Sequence, residues 1–192
     1  MEKISFWDLI TSPNIKKICI PTIQRDYAMG HKDKVFIRQN FLTAIYNAVT
    51  TKDELPLDFV YGVDNETMFI PLDGQQRLTT LWLLHWYVAY KGSILNNPEV
   101  KATLLKFSYE TRISSTDFCK SLCNLAPNEQ NLSLRDWITQ QTWYYHQYKQ
   151  DPTIKGILNM IAGTDRTDDN HNDIVDGLEE IFEGDKIYFQ SI

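Results

Sequence analysis

"IPLDGQQRLTTLWLLHWYVAY", residues 70–90, runs apolar as far as Leu72, breaks at Asp73-Gly74, passes two glutamines and an arginine, and resumes without a charged side chain to Tyr90. The first part reads as the end of a strand over 67–72. The second reads as a helix from Gln75 to about Tyr90 that must be packed on nearly every side. A glycine alone would make the turn between them, so the acid, the amides and the arginine need a further reason. At a strand-to-helix turn, the backbone amides of Gln75, Gln76 and Arg77 lie at the positive end of the helix without intrahelical partners, and such an end binds anions. Arg77 adds a charged fork of donors that matches a phosphate. The side chains of Gln75 and Gln76 each offer a donor and an acceptor, suited to a base edge, a sugar or a water.

Asp73 admits two readings. As an N-cap, with Gln76 three residues on completing a capping-box-like pair, it contributes about 1 kcal/mol to the helix. A capping carboxylate repels phosphate, however, so a functional Asp73 implies a bridging Mg²⁺ or a water-activating role.

Upstream, "IKKICIP" (15–21) reads as a strand stopped by its proline, and "SFWDLI" (5–10) as a short helix. Beyond the strand, "IPTIQRDYAMG" sets Gln24, Arg25, Asp26 and Tyr27 at the end of a buried element; an exposed loop would have much the same composition. Between Asp33 and Val49, Val35, Phe36, Phe41, Leu42, Ile45 and Val49 recur at helical spacing. "DFVYGVDNETMFIPLDG" reads as two strands, about 58–63 and 67–72, joined by an Asp64-Asn65 turn. Downstream, "LLKFSYETR" (104–112) reads as a strand, and Ser115 opens a helix bearing Phe118, Cys119 and Leu122. Ser133 with Asp136 resembles a capping box before "LRDWITQQTWYYHQY", whose aromatics at helical spacing suggest packing more than a base-stacking platform. Asp151-Pro152 signals the start of "TIKGILNMIA". "TDRTDDNHNDIVDGLEE" lacks the glycine and acidic spacing of a calcium loop and reads as a solvated loop entering a helix. "KIYFQSI" at the end alternates like a strand.

The 192 residues, 43% apolar with seven prolines, suffice for one sizeable domain or a compact domain with a helical annex. A net charge of -6 argues against a broad basic face, so any nucleic-acid contact must be local or supplied by another domain. Three cysteines without a secretory leader point to a reducing, cytoplasmic setting. Cys119 and Cys123, with no second pair or nearby histidines, read as a buried helix face and not half a metal site. The uncharged run Leu78–Tyr90 is shorter than the roughly 20 residues that span a bilayer, so no membrane partner is expected. Neither GxxxxGK[ST] nor GxGxxG is present. The residues by themselves therefore indicate an anion site at a helix start.

Three blocks carry a resemblance. "IPTIQRDYAMG", "FVYGVDNETMFIPLDGQQRLTTLWLL" and "FSYETRISS", in that order over roughly residues 15–115, together resemble the N-terminal domain of GmrSD-type restriction endonucleases, with weaker similarity to the end of the chain. The resemblance implies an α/β (α+β) fold like that of ParB and sulfiredoxin, a small mixed sheet with packed helices over 1–112, followed by a mostly helical extension of the same domain over 113–192. It implies that Asp73, Gly74, Gln75, Gln76 and Arg77 form a nucleotide-binding and NTP-hydrolysing motif, with Asp73, Gln75 and Gln76 catalytic and Asp73 also the metal contact. Gln24, Arg25, Gly74, Arg77 and Arg112 would hold the nucleotide phosphates, and Tyr109 and Glu110 belong to the same third block as Arg112.

The cofactors so implied are Mg²⁺ and a purine nucleoside triphosphate. The implied partners are DNA, reached through another domain or subunit, and a nuclease of His-Asn-His type. No such nuclease motif occurs here, since His146 and His171 lack its neighbours, so the chain is expected to be a fragment or a subunit needing a partner. The second block departs from the family pattern, with Ile23 before Gln24 and Met29-Gly30 near a tryptophan position, which removes aromatics but keeps Gln24 and Arg25. Three functions compete: an NTP-hydrolysing module of a system that restricts modified phage DNA; a non-enzymatic sensor of a DNA phosphate, modified base or signalling nucleotide that regulates a nuclease partner; and an interaction module whose DGQQR turn is architectural.

Overall fold

The computed structural model describes residues 4–22, 26–65, 67–164 and 175–182. It is a mixed α+β structure, in keeping with the expected class. The chain divides into two compact units, Met1–Arg25 with Leu57–Pro127, and Asp26–Pro56 with Asn128–Ile192.

The first unit holds a four-stranded sheet in the order β2-β3-β1-β4, formed by β1 (Lys17–Ile20), β2 (Gly62–Asn65), β3 (Met68–Pro71) and β4 (Phe107–Tyr109). β1 lies between β3 and β4 and runs parallel to both, with Ile18 opposite Phe69 on one side and Phe107 on the other. β2 is an antiparallel edge strand. Parallel neighbours require crossovers, and α3 (Gln75–Lys91) with α4 (Pro98–Leu104) supplies the one into β4. Most of α3 is buried, as its uncharged sequence requires, including Leu78, Trp82, Leu83, Trp86 and Ala89. The two indoles satisfy their N–H groups on carbonyls, Trp82 on Leu104 (3.0 Å) and Trp86 on Leu122 (2.9 Å), so their burial leaves no orphaned donor. Trp82 stacks on Phe107 of β4 with ring centroids 5.1 Å apart, tying helix to sheet. α1 (Phe6–Thr11), opened by Ser5, and α5 (Ile113–Leu122) complete this unit.

The hairpin before the DGQQR turn departs from expectation. Asp64 and Asn65 are not the turn; they sit in β2 opposite Phe69 and Met68, so the chain reverses beyond Asn65. Turn-forming side chains are tolerated on an exposed edge strand, and the register, with Gly62 facing Pro71, overrides their preference. Residues 58–61 lie outside the ladder. The expected strand from 104 is likewise shorter, because Leu104 ends α4.

In the second unit, α2 (Val35–Thr51) buries Val35, Arg38, Leu42 and Ile45, one row at 3- and 4-residue intervals, while Phe36, a hundred degrees around, is exposed. α7 (Pro152–Ala162) packs on a 3-10 turn, Ala28–Gly30, through two glycines. A Cβ on Gly30 would strike the Gly156 backbone, and one on Gly156 would strike the carbonyl of Tyr27. α6 (Leu134–Thr139) opens on the Ser133–Asp136 pair, with the Asp136 N–H donating to Ser133 Oγ (3.1 Å). It is shorter than the expected helix to Tyr148. The side chain of Gln141 donates to the carbonyl of Trp137 (3.0 Å), the acceptor its own backbone N–H would use to continue the helix, and that N–H turns to Ile138 instead. A 3-10 turn, His146–Lys149, follows, in which Tyr148 is buried against Tyr144 and Tyr145. α8 (Leu178–Ile181) ends the described chain. The acidic loop over 165–174, His171 and the terminal "KIYFQSI" lie outside the described residues.

Asp151 caps α7 by accepting from the amides of Thr153 (2.8 Å) and Ile154 (3.2 Å). Asp151→Ala is expected to lower unfolding free energy by about 1 kcal/mol. A thermal-melt midpoint unchanged from wild type would contradict that role.

Candidate functional site

Because β1, β3 and β4 are parallel, their C-terminal ends share one edge of the sheet, and each is followed by one of the three polar stretches singled out in the sequence. Pro21-Thr22 leads toward Gln24 and Arg25 after β1, Leu72–Arg77 follows β3, and Glu110–Arg112 follows β4. Such an edge is where open α/β sheets bind ligands. Gln24 and Arg25 themselves lie outside the described residues. The rest of the crest is defined.

Gly74, not Asp73, is the N-cap of α3. Its φ of 83° lies in the left-handed region, and an added Cβ would come within 2.7 Å of Val60 Cγ2, so both backbone and space demand glycine. The capping-box reading of Asp73 with Gln76 is thereby corrected: no side chain caps this helix. A left-handed glycine turns the chain into the helix without needing a side-chain acceptor, and the helix opens without one.

Gln75 is buried, and its Nε2 donates to the Pro71 carbonyl (2.8 Å), closing the turn from inside. Arg77 reaches back to the segment before β2. Nη1 donates to Leu57 O (2.8 Å) and Nη2 to Phe59 O (2.6 Å), with carboxylate oxygens of Asp58 and Asp73 each 3.3 Å away. Its guanidinium therefore holds residues 57–59 beside the helix start, where the unusual positive φ of Asp58 falls. This tether explains why 58–61 leave the ladder. Tyr61 O adds to it by accepting from the amides of Leu72 (2.9 Å) and Asp73 (3.2 Å). Asp73 is half exposed beside the helix start, and Gln76 is partly exposed.

On the other side of β1, Glu110 Oε2 accepts from both the backbone N–H and the hydroxyl of Thr22, each at 2.9 Å. These bonds, the backbone N–H first and then the hydroxyl, hold the Glu110 carboxyl below its ordinary pKa. Glu110 thus stitches the loop after β4 to the loop after β1. Tyr109 reaches α3, its hydroxyl 3.5 Å from Thr79 Oγ1. Residues 20–22 and 109–112 line a crevice with about 10 Å³ of space, room for one water, so a larger ligand would lie across the crest. Arg112, at the N-cap of α5, lines it and is partly exposed. Sequence reasoning missed the Thr22–Glu110 stitch, since nothing local pairs residues so far apart.

A magnesium ion arriving on nucleotide phosphates needs only one or two protein carboxylates. Asp73 fits that requirement by position and exposure, provided it leaves Arg77; among the described residues no group of three or more His, Cys, Asp or Glu side chains is placed to hold a metal by itself. Cys19, Cys119 and Cys123 are all buried, and burial pushes the Cys123 thiol up to about 12, which suits packing and not ligation. No helix of the described residues is long and apolar enough to cross a membrane.

The sheet thus gathers on one edge a glycine-turned helix start, the start of the loop after β1 at Pro21-Thr22, and the Arg112-bearing loop after β4. The family model of the GmrSD restriction endonuclease N-terminal domain matches residues 6–189, and the chain belongs to that family. No curated protein and no solved structure matches it.

Proposed function

We propose that this domain is the nucleotide-binding module of a restriction system directed at modified phage DNA, and that a purine nucleoside triphosphate lies across the C-terminal edge of β3, β1 and β4. The observation that carries the reading is the convergence of the three polar stretches on that edge, beside a helix start that no side chain caps. In this arrangement the amides of the first turn of α3, together with Arg112 and Arg25, hold phosphate. Gly74 lets the backbone approach, Gln75 and Arg77 fix the turn and the 57–59 segment, and Gln24 contacts the ligand from the β1 loop. Gln76 and Asp73 are the groups left at the surface to orient water, with Asp73 also able to contact a phosphate-borne Mg²⁺. DNA and a nuclease partner are engaged through another domain or subunit.

Calorimetric titration of the folded chain with a panel of nucleoside triphosphates and Mg²⁺ tests this. Arg112→Ala is expected to weaken binding about tenfold or more, the loss of one charge-assisted contact. Asp73→Asn is expected to retain binding and lose phosphate release. Absence of binding by every nucleotide would overturn the reading, whereas binding without turnover in the wild type would favour a sensor over a hydrolase.

A further inference from the structure

The second unit carries a groove of about 340 Å³, lined among others by Lys32, Arg135, Lys149, Lys155, Tyr144 and Asn159. It belongs wholly to this unit and includes no residue of the DGQQR crest. Its size lies in the range of small-molecule sites. Four cations face it against one carboxylate, Asp136, in a chain whose net charge is -6. That carboxylate is already engaged, accepting from the Ser133 hydroxyl at 2.8 Å. Lys149 and Lys155 form no ion pair among the described residues. Like charges gathered on one groove raise the electrostatic free energy of the empty protein, and a bound anion relieves it.

The floor of the groove is built and not merely decorated. Arg135 is half-buried, and its Nη2 is spent on Asn159 Oδ1 (2.9 Å), Gly163 O (2.7 Å) and, more loosely, Leu158 O (3.5 Å). Asn159 in turn donates from Nδ2 to Gly30 O (2.8 Å), which fixes α7 and the 28–30 turn around it. All of the described Arg135 hydrogen bonds use one nitrogen, leaving Nε and Nη1 for a ligand. Tyr144 lines the same groove, its phenol pKa raised by burial against the opposing charge of Arg135.

We propose that this groove is a second anion site, and that its ligand is a multiply charged phosphate. A carboxylate answers one of the four cations; a polyphosphate or a run of nucleotide phosphates answers several at once. The phosphate comes either from a free nucleotide or polyphosphate or from a polynucleotide backbone, and the same lysines serve both. A local cationic groove is also a form of nucleic-acid contact compatible with a net charge of -6.

The test is made on the full chain in the Arg112→Ala background, so that the crest contributes little. Inorganic tripolyphosphate is titrated by calorimetry and a fluorescein-labelled oligo-dT by anisotropy, each at several salt concentrations. Binding of at least one probe is expected, with Lys149→Ala/Lys155→Ala weakening it about tenfold or more and lowering the oligonucleotide salt slope by about one per lysine removed. Both lysines are exposed, so the melting temperature should be unchanged, and Lys155→Glu alone should weaken binding further than Lys155→Ala. Loss of tripolyphosphate binding only would assign a free ligand; a matching loss with oligo-dT would assign a polynucleotide. Absence of binding by both probes, or binding that the lysine substitutions leave intact, overturns the proposal. Failure of the crest titrations with nucleoside triphosphates would leave this result standing, since the two sites share no residue.

Discussion

Asp176→Ala is expected to lower the unfolding free energy by about 3 to 5 kcal/mol, a large share of the stability of a domain of this size. Arg38 and Asp176 are both fully buried in the second unit and form an ion pair there. Burying two charges is costly, and the pair is tolerated because nearly every donor and acceptor is used. Arg38 donates from Nε to Asp176 O (2.9 Å), from Nη1 to Met29 O (2.7 Å) and His31 O (3.2 Å), and from Nη2 to Thr164 Oγ1 (3.4 Å) as well as to the carboxylate. Asp176 accepts from the Thr164 amide and hydroxyl, each at 2.7 Å. Removing the carboxylate leaves a guanidinium in the interior without its counter-charge, and removing the guanidinium does the converse. Urea titrations should show a lower midpoint at an unchanged slope, and a double-mutant cycle with Arg38→Met should give a coupling of about 2 kcal/mol. A fall of less than about 1 kcal/mol for Asp176→Ala would mean that water or a neighbour solvates Arg38 as well as the carboxylate does.

The same pair marks the limit of what could be read in the sequence. The α2 period was legible from Val35, Leu42 and Ile45, but Arg38 lies on that buried row, and a charge on an apolar face carries no local sign of its partner 138 positions away. Long-range pairing also joins 26–56 to 128–192 and stitches Thr22 to Glu110. Local patterns are informative where the backbone itself makes the demand. Gly74 had to sit between strand and helix because only glycine accepts that φ beside Val60, and Asp151-Pro152 had to open a helix because its side chain and ring suit the first turn. They mislead where a side chain reaches out of its own segment. Phe59 and Tyr61 look like strand residues by alternation, yet Arg77 takes the carbonyls of Leu57 and Phe59 as acceptors, and Tyr61 O is shared by the amides of Leu72 and Asp73 at the end of β3.

That observation changes what the motif means. Arginine in the first turn of a helix suggests a phosphate contact, and its charge does add to the positive end of α3. In the structure its hydrogen bonds go to the carbonyls of Leu57 and Phe59 and to the Asp73 carboxylate, so its effect on a ligand would be exerted through the position of residues 57–59 and through the competition between Asp73 and Asp58 for it. Asp73 is consequently the adjustable member of the motif. Gln75 and Gly74 are fixed by burial and by backbone conformation, whereas Asp73 is held only by a half-exposed ion pair of small energetic weight.

Acidification should weaken this fold through His85 in particular. The ring is buried in the middle of α3, stacked on Trp7 with centroids 5.6 Å apart and tilted against Phe6 at 5.0 Å. Its Nδ1 lies 2.7 Å from the Leu81 carbonyl; a carbonyl only accepts, so Nδ1 carries the proton of the neutral ring. Burial lowers the pKa from 6.5 to about 4, against a smaller opposite effect of the Leu81 bond. With the folded value depressed, the unfolded chain binds the proton first as pH falls. The stability held by neutral His85 is thus complete above about 6.5 and is lost progressively down to about 4, where the deficit reaches about 3 kcal/mol. Carboxylates also gain protons on acidification, so the decisive measurement is a comparison. Unfolding free energy of wild type and His85→Gln should be followed from pH 7.5 to 4. The variant can keep a donor toward Leu81 O but cannot gain a charge, so its curve should fall less steeply between 6.5 and 4, the two converging as the proton is forced onto the wild-type unfolded state. Parallel curves would show that His85 is solvated on protonation, and would remove the aromatic cage from the account of what keeps α3 in place.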